Sequence, residues 1–104
     1  MLYIIYQEDR PDGAAIRAAQ RDAHLAYLER HRGIVVLGGA LLDEDGVTRT
    51  GSVLVINVSG RAAAEEFSEN EPFRKAGLFG TVTISRMRRG QWNPEAAPKS
   101  AEGN

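Results

Sequence analysis

Apolar positions along the chain fall into four short strand-like runs separated by two stretches of helical period. Leu2, Tyr3, Ile4, Ile5 and Tyr6 form the first run, which gives way to polar residues from Gln7 and predicts a strand. Apolar side chains at successive positions point to both faces, so the sheet built from it is expected to be covered on both sides. The long helical stretch follows over residues 14–31. Ile16, Ala19, Ala23, Ala26 and Tyr27 recur in it at helical spacing and predict one apolar stripe. Asp12 stands where a helix is capped and Gly33 where one stops. At about 100° per residue, His24 falls roughly 80° round from Ile16, at the edge of that stripe with Gln20, Leu28 and His31. An imidazole so placed meets the core on one side and a cavity or solvent on the other.

Ile34, Val35, Val36 and Leu37 predict a second strand that runs into Gly38 and Gly39, a pair that permits close backbone approach or a bulge. Asp43, Glu44, Asp45 and Gly46 read as a solvated hairpin tip; their spacing matches no EF-hand. Residues 52–58 are nearly all apolar and predict a central strand. Ser59 and Gly60 turn the chain into a second helix over residues 61–70, with Ser59 as cap and Ala63 and Phe67 toward the sheet. Proline at 72 and glycine at 77 bound a short helical turn. Glu71 then takes the N-cap, where Asp, Asn or Ser is usual, so it can serve a second purpose. Alternation through Val82 and Ile84 marks the last strand, over residues 78–87. Beyond Gln91 the chain is small and polar, with Trp92 as its strongest anchor, and disorder is expected after Pro94.

The order β-α-β-β-α-β predicts an α+β, ferredoxin-like domain over residues 1–90, followed by a tail over 91–104. Its four antiparallel strands carry helices on one face. The other face is apolar too, so a second subunit packing sheet against sheet is expected, giving a homodimer through the open face.

Composition narrows the function classes. Among 104 residues, 42% are hydrophobic and 26% charged, as in an ordinary single globular domain. A formal net charge of -1 gives no electrostatic case for nucleic acid or an anionic membrane, and the short cluster Arg86, Arg88, Arg89 lacks interleaved aromatics. Without cysteine there are no disulfides, thiol nucleophiles or thiolate metal sites. The first apolar run is too short for a signal peptide, and no stretch reaches the roughly 20 apolar residues that span a bilayer, so a cytoplasmic location is expected.

The candidate chemistry has three parts: His24 on the long helix, Glu71 opening the short turn, and Gly38-Gly39 with Gly51-Ser52 on the sheet. Both helices of this fold lie on one face, which can bring His24 and Glu71 together. A carboxylate on one imidazole nitrogen fixes the tautomer and suits proton transfer. The same residues also fit a plainer reading, a half-exposed histidine and an unrelated capping carboxylate. His31, at the helix end, favours the dipole and receives no catalytic role. His24 and His31 are seven residues apart, beyond the spacing of a shared ion, so no metal is expected. No serine sits in a nucleophile elbow, and the paired glycines lack the helix of a dinucleotide fingerprint, so no cofactor is expected.

Taken in order, several segments carry a resemblance: Glu8-Asp9-Arg10-Pro11-Asp12 after the first strand, Arg21 through Leu28 around His24, Val36 through Leu41, Gly51-Ser52, and Glu71-Pro72-Phe73 running to Phe79. Together they resemble the YCII-related (YciI-like) domain family. The resemblance implies a dimeric α+β barrel and a site built on a histidine-aspartate pair. The family histidine falls on His24 and the family aspartate on Glu71, a departure of one methylene. It implies lyase- or isomerase-like chemistry on small cyclic or aromatic compounds, such as dehydrochlorination of hydroxylated rings. The expected enzyme is cofactor-independent, with His24 as acid or base, Glu71 orienting it, and a substrate pocket lined by Tyr3, Gly38, Ser52 and Phe73. The alternative is a dimeric small-molecule-binding or accessory module without catalysis.

Overall fold

A computed structural model of the chain describes residues 1–103. Strands β1 (Leu2–Asp9), β2 (Val35–Leu42), β3 (Arg49–Asn57) and β4 (Phe79–Met87) form one antiparallel sheet in the order β2-β3-β1-β4. Helices α1 (Ala14–Arg30), α2 (Arg61–Glu69) and the single turn α3 (Pro72–Lys75) complete the β-α-β-β-α-β ferredoxin-like pattern. A 3-10 turn at Pro94–Ala96 and a bridge between Ser100 and Gly103 follow, and Trp92, offered as an anchor, stays 59% exposed with Arg89 over its ring.

Register sorts the strand residues into two faces. Tyr3, Ile5 and Gln7 of β1 lie opposite Ile56, Leu54 and Ser52 of β3, and all six are buried beneath the helices. With Tyr27, Ala64 and Phe67 the four apolar ones make the core. The other face carries Leu2, Ile4 and Tyr6 opposite Asn57, Val55 and Val53, with Leu37 beside Val55 and Met87 beside Leu2. Leu37 is 69% exposed there, which is the two-sided apolar character expected from the sequence. Gly51 permits close packing of the central pair, because a Cβ there collides with the Gln7 carbonyl across the ladder.

Local corrections concern the helices. Asp12 pairs with Arg10 at 3.2 Å, and Gly13 takes the α1 N-cap position without a side-chain bond. Gly60, not Ser59, begins α2, and its buried side is Ala64, Phe67 and Ser68, one position beyond Ala63. The larger correction is the face of α1. Ala19, Ala23 and Ala26 are exposed, while Ile16, Arg17, Gln20, His24, Tyr27, Leu28 and His31 are buried or half-buried. These span an arc of about 120°, and His24 lies near its middle rather than at an edge. Alanine at helical spacing mimics a core stripe, yet it offers little area to bury. The longer side chains win the inward face because their polar atoms find partners there. Tyr27 donates its hydroxyl to the Phe67 carbonyl at 2.8 Å, and Arg17 holds Asp9 through two bonds of 2.9 Å. Burial, and after it the charge of Glu71, pushes the Tyr27 pKa above its usual value.

Candidate active site

The site forms where the middle of α1 faces the start of α3. Proline at 72 and the β-region conformation of Glu71 start α3 abruptly, leaving the Glu71 side chain folded back over the turn. One carboxylate oxygen accepts from Phe73 N–H at 3.2 Å, and the other from Arg74 N–H at 3.3 Å. The first oxygen also meets His24 Nδ1 at 2.5 Å. Glu71 is therefore both cap and partner, with only 2% of its side chain exposed against 15% for His24. The added methylene does not break the contact.

Phe73 fixes the ring plane. The His24 imidazole stacks on it with centroids 3.9 Å apart and planes 12° from parallel, and the Arg17 guanidinium lies 4.9 Å from the Phe73 centroid. Arg17 is itself held by Asp9 and by the Gly51 carbonyl at 3.2 Å. The imidazole orientation thus has two supports, a buried carboxylate at Nδ1 and a braced aromatic plane. An ionised carboxylate only accepts, so Nδ1 carries a proton and the neutral ring keeps its lone pair on Nε2. No described residue bonds Nε2, and no buried side-chain nitrogen lacks a partner, so Nε2 opens to solvent.

It opens at a cavity of about 670 Å³ between α1, the β2–β3 hairpin and α3. His24, Gly38, Ser52 and Phe73 all line it. Glu71 stands behind His24, outside the lining. Tyr3 does not join them: it is 4% exposed in the core, opposite Ile56 at the other end of the sheet. Ser52 accepts a bond from Gln7 Nε2 at 2.8 Å, which leaves its hydroxyl hydrogen free to donate. The absent Cβ of Gly38 lets the Leu54 side chain pack against the β2 backbone at the cavity wall, since one there would lie 2.6 Å from the Leu54 Cδ2.

Arginine was missed by the sequence reading. Arg10, Arg17, Arg21 and Arg49 line the cavity. Arg17, Arg21 and His24 stand at i, i+4 and i+7, one helix face, and that spacing was the available signal. Among the described residues no three His, Cys, Asp or Glu side chains gather as a metal site, and no helix is long and apolar enough to cross a membrane.

Comparison with known proteins gives this geometry a context. The family model described as YCII-related domain matches residues 1–88. A solved structure of 5-chloro-2-hydroxyhydroquinone dehydrochlorinase from Burkholderia phenoliruptrix, in complex with 2,5-dihydroxybenzoquinone, is similar at TM-score 0.79 and 36% identity, covering 86% of this chain and 96% of that one. Protein YciI of Escherichia coli O6:H1 is 27% identical over 96 residues, covering 86% of this chain and 98% of its own. An uncharacterized Haemophilus influenzae protein is 24% identical with the same coverage of each chain.

Proposed function

Because the chain belongs to the YCII-related domain family, we propose that it is a small enzyme in which His24 transfers protons on a hydroxylated ring compound, with Glu71 as its positioning partner. The observation that carries this reading is the His24–Glu71 contact of 2.5 Å behind an imidazole whose free nitrogen opens into a cavity. A carboxylate on Nδ1 raises the basicity of Nε2 and stabilises the imidazolium formed when Nε2 takes a proton. The alternative, a dimeric accessory module without catalysis, has no need of a paired imidazole that opens into a cavity.

The similar dehydrochlorinase supplies the reaction type. His24 accepts a proton from a ring hydroxyl and returns it to the chlorine-bearing carbon. Chloride then leaves with the C–Cl bonding pair while a second hydroxyl releases its proton to solvent. The sum is loss of HCl, and no electron acceptor is needed. Ser52 and the braced Phe73 position the ring. A second copy of the chain covers the apolar sheet face, burying roughly 1,200 Å² or more in total; sedimentation of a monomer at micromolar concentration would exclude it.

The test is anaerobic chloride release from 5-chloro-2-hydroxyhydroquinone. The wild-type chain should release chloride, and His24→Gln should lower turnover by about 10²–10⁴-fold, the usual contribution of a positioned acid-base group. No chloride release from this or related chlorinated hydroxylated rings by the wild-type chain would leave a binding module and end the catalytic reading.

A further inference from the structure

The charge of the cavity differs from that of the chain. Across all 104 residues the formal net charge is -1, yet the cavity is lined by four arginines and one carboxylate, Asp9. Two of the arginines are accounted for. Arg17 is mostly buried and spends its charge on Asp9 in a two-bond pair, and Arg10 meets Asp12. The other carboxylate nearby, Glu71, is taken up by His24 and by the first turn of α3. Arg21 and Arg49 have no carboxylate within 4.0 Å among the described residues. Arg21 makes no side-chain hydrogen bond there, and Arg49 makes one, to the Val47 carbonyl at 2.8 Å. They reach the cavity from opposite walls, Arg21 from α1 and Arg49 from the start of β3. Two uncommitted guanidinium groups facing one space raise the local concentration of anions and offer planar, bidentate donors to an ionised oxygen.

Apolar side chains line the same space. Leu25, Leu28, Leu54 and Phe73 provide apolar wall, and Gly38 and Gly39 leave the β2 side flat. A cavity with an apolar interior and cations at two walls fits a ring that carries charge at its edge.

We infer that the cavity selects a ring compound in its anionic form, with Arg21 and Arg49 receiving the ionised oxygens of a phenolate, enolate or ring carboxylate. The inference deepens the proposed function and rests on it for the site, but it concerns recognition rather than proton transfer. It also assigns the order of events at the ring: one hydroxyl arrives already ionised and is held by the arginines, so His24 has a second hydroxyl to act on. The apolar wall accepts the ring, and the guanidinium groups discriminate by charge.

The probe is 2,5-dihydroxybenzoquinone, an acidic ring that is anionic at neutral pH, compared with its neutral dimethoxy analogue by calorimetric titration. The anion should bind, should weaken as salt rises, and should outbind the neutral analogue. Arg21→Gln and Arg49→Gln should each weaken the anion about five- to tenfold, the scale of one hydrogen bond to a charged group at a solvated site, and leave the analogue unchanged. Arg32→Gln, whose exposed arginine pairs with Glu29 away from the cavity, should bind as wild type. Equal affinity for anion and analogue, arginine variants that bind the anion as wild type does, or no saturable binding at all would each overturn the inference. The wild-type chain separates the two readings: arginine-dependent binding of the anion by a chain that releases no chloride refutes the catalytic reading alone, whereas loss of chloride release in His24→Gln with that binding kept supports both.

Discussion

Replacing Glu71 with Gln tests the site at its most informative atom. The side chain keeps its length and, with its amide nitrogen toward His24, an oxygen for the Arg74 amide, bonded now at 3.3 Å. The Phe73 amide, at 3.2 Å from the oxygen that faces His24, loses its acceptor in that orientation, but Pro72 still favours the start of α3. What changes is the atom facing His24 Nδ1. A carboxylate compels Nδ1 to carry the proton, whereas an amide turned the other way donates to it, moves the ring proton to Nε2 and abolishes the base. A wrong tautomer in a comparable histidine-carboxylate pair of the serine proteases costs about 10⁴-fold in turnover. Here solvent reaches Nε2 and 15% of the His24 side chain is exposed, so both tautomers are populated and a loss of about 10²–10⁴-fold is expected, or roughly 3–5 kcal/mol of barrier. Stability should fall less. A charge-assisted bond worth about 1.5–3 kcal/mol is lost, but the cost of burying a carboxylate goes with it. Nitrogen-15 NMR of the His24 ring reads the tautomer directly, urea unfolding reads stability, and chloride release reads turnover. Glu71→Asp keeps the charge and should keep the wild-type tautomer. Unchanged ring nitrogen shifts in Glu71→Gln, with turnover within twofold of wild type, would refute the positioning role.

Further expectations concern stability. The fold holds the Tyr27 pKa above its ordinary value, through burial first and the Glu71 charge second, so the neutral phenol is favoured. That contribution is complete below about pH 10, the unfolded value, and is lost as pH rises through the folded one. Tyr27→Phe should be less stable by about 1 kcal/mol at neutral pH, having lost its bond to the Phe67 carbonyl, and flatter in alkaline urea titrations; a parallel alkaline decline would contradict this. At the hairpin tip, the Thr48 hydroxyl and then the Thr48 and Val47 amides hold the Asp45 carboxyl below its usual range. Its stabilising effect is present above about pH 4 and fades as pH falls through the folded value, so the gap in melting temperature between wild type and Asp45→Ala should close in acid. Gly51→Ala should cost about 1–3 kcal/mol in urea unfolding, since its Cβ meets backbone across β1, while Gly33→Ala has open space and should fall within about 0.5 kcal/mol of wild type.

The strands were legible because their signal is local. Residues 52–58 and 2–6 are apolar almost without break, and the pairing of Tyr3 with Ile56 and Ile4 with Val55 turns that run into two apolar faces. The inward face of α1 was not legible, because periodicity weighs hydrophobicity and not reach. Ala19, Ala23 and Ala26 score as a stripe, but Arg17, His24 and Tyr27 have the length and the partners to cross from helix to sheet and to α3. Those partners are distant in sequence. Glu71 lies 47 residues from His24, and the Phe67 carbonyl 40 from Tyr27, so no window of helical length contains both ends of either bond.

The candidate site follows the same division. His24 and Glu71 could be named because each breaks a local expectation, a histidine beside an apolar stripe and a glutamate at a cap that prefers shorter side chains. The cavity arginines break none: arginine is a good helix former and sits on most helix surfaces without consequence. Their meaning depends on which carboxylates they meet, and only the fold assigns Asp9 to Arg17 and Asp12 to Arg10 while leaving Arg21 and Arg49 unmatched. A chain whose charges nearly cancel along its length can thus still present a cationic cavity. Glu71 shows the converse. Its carboxylate caps α3 and meets His24 at once, so the same side chain that starts a turn of helix also sets which nitrogen of the imidazole faces the cavity.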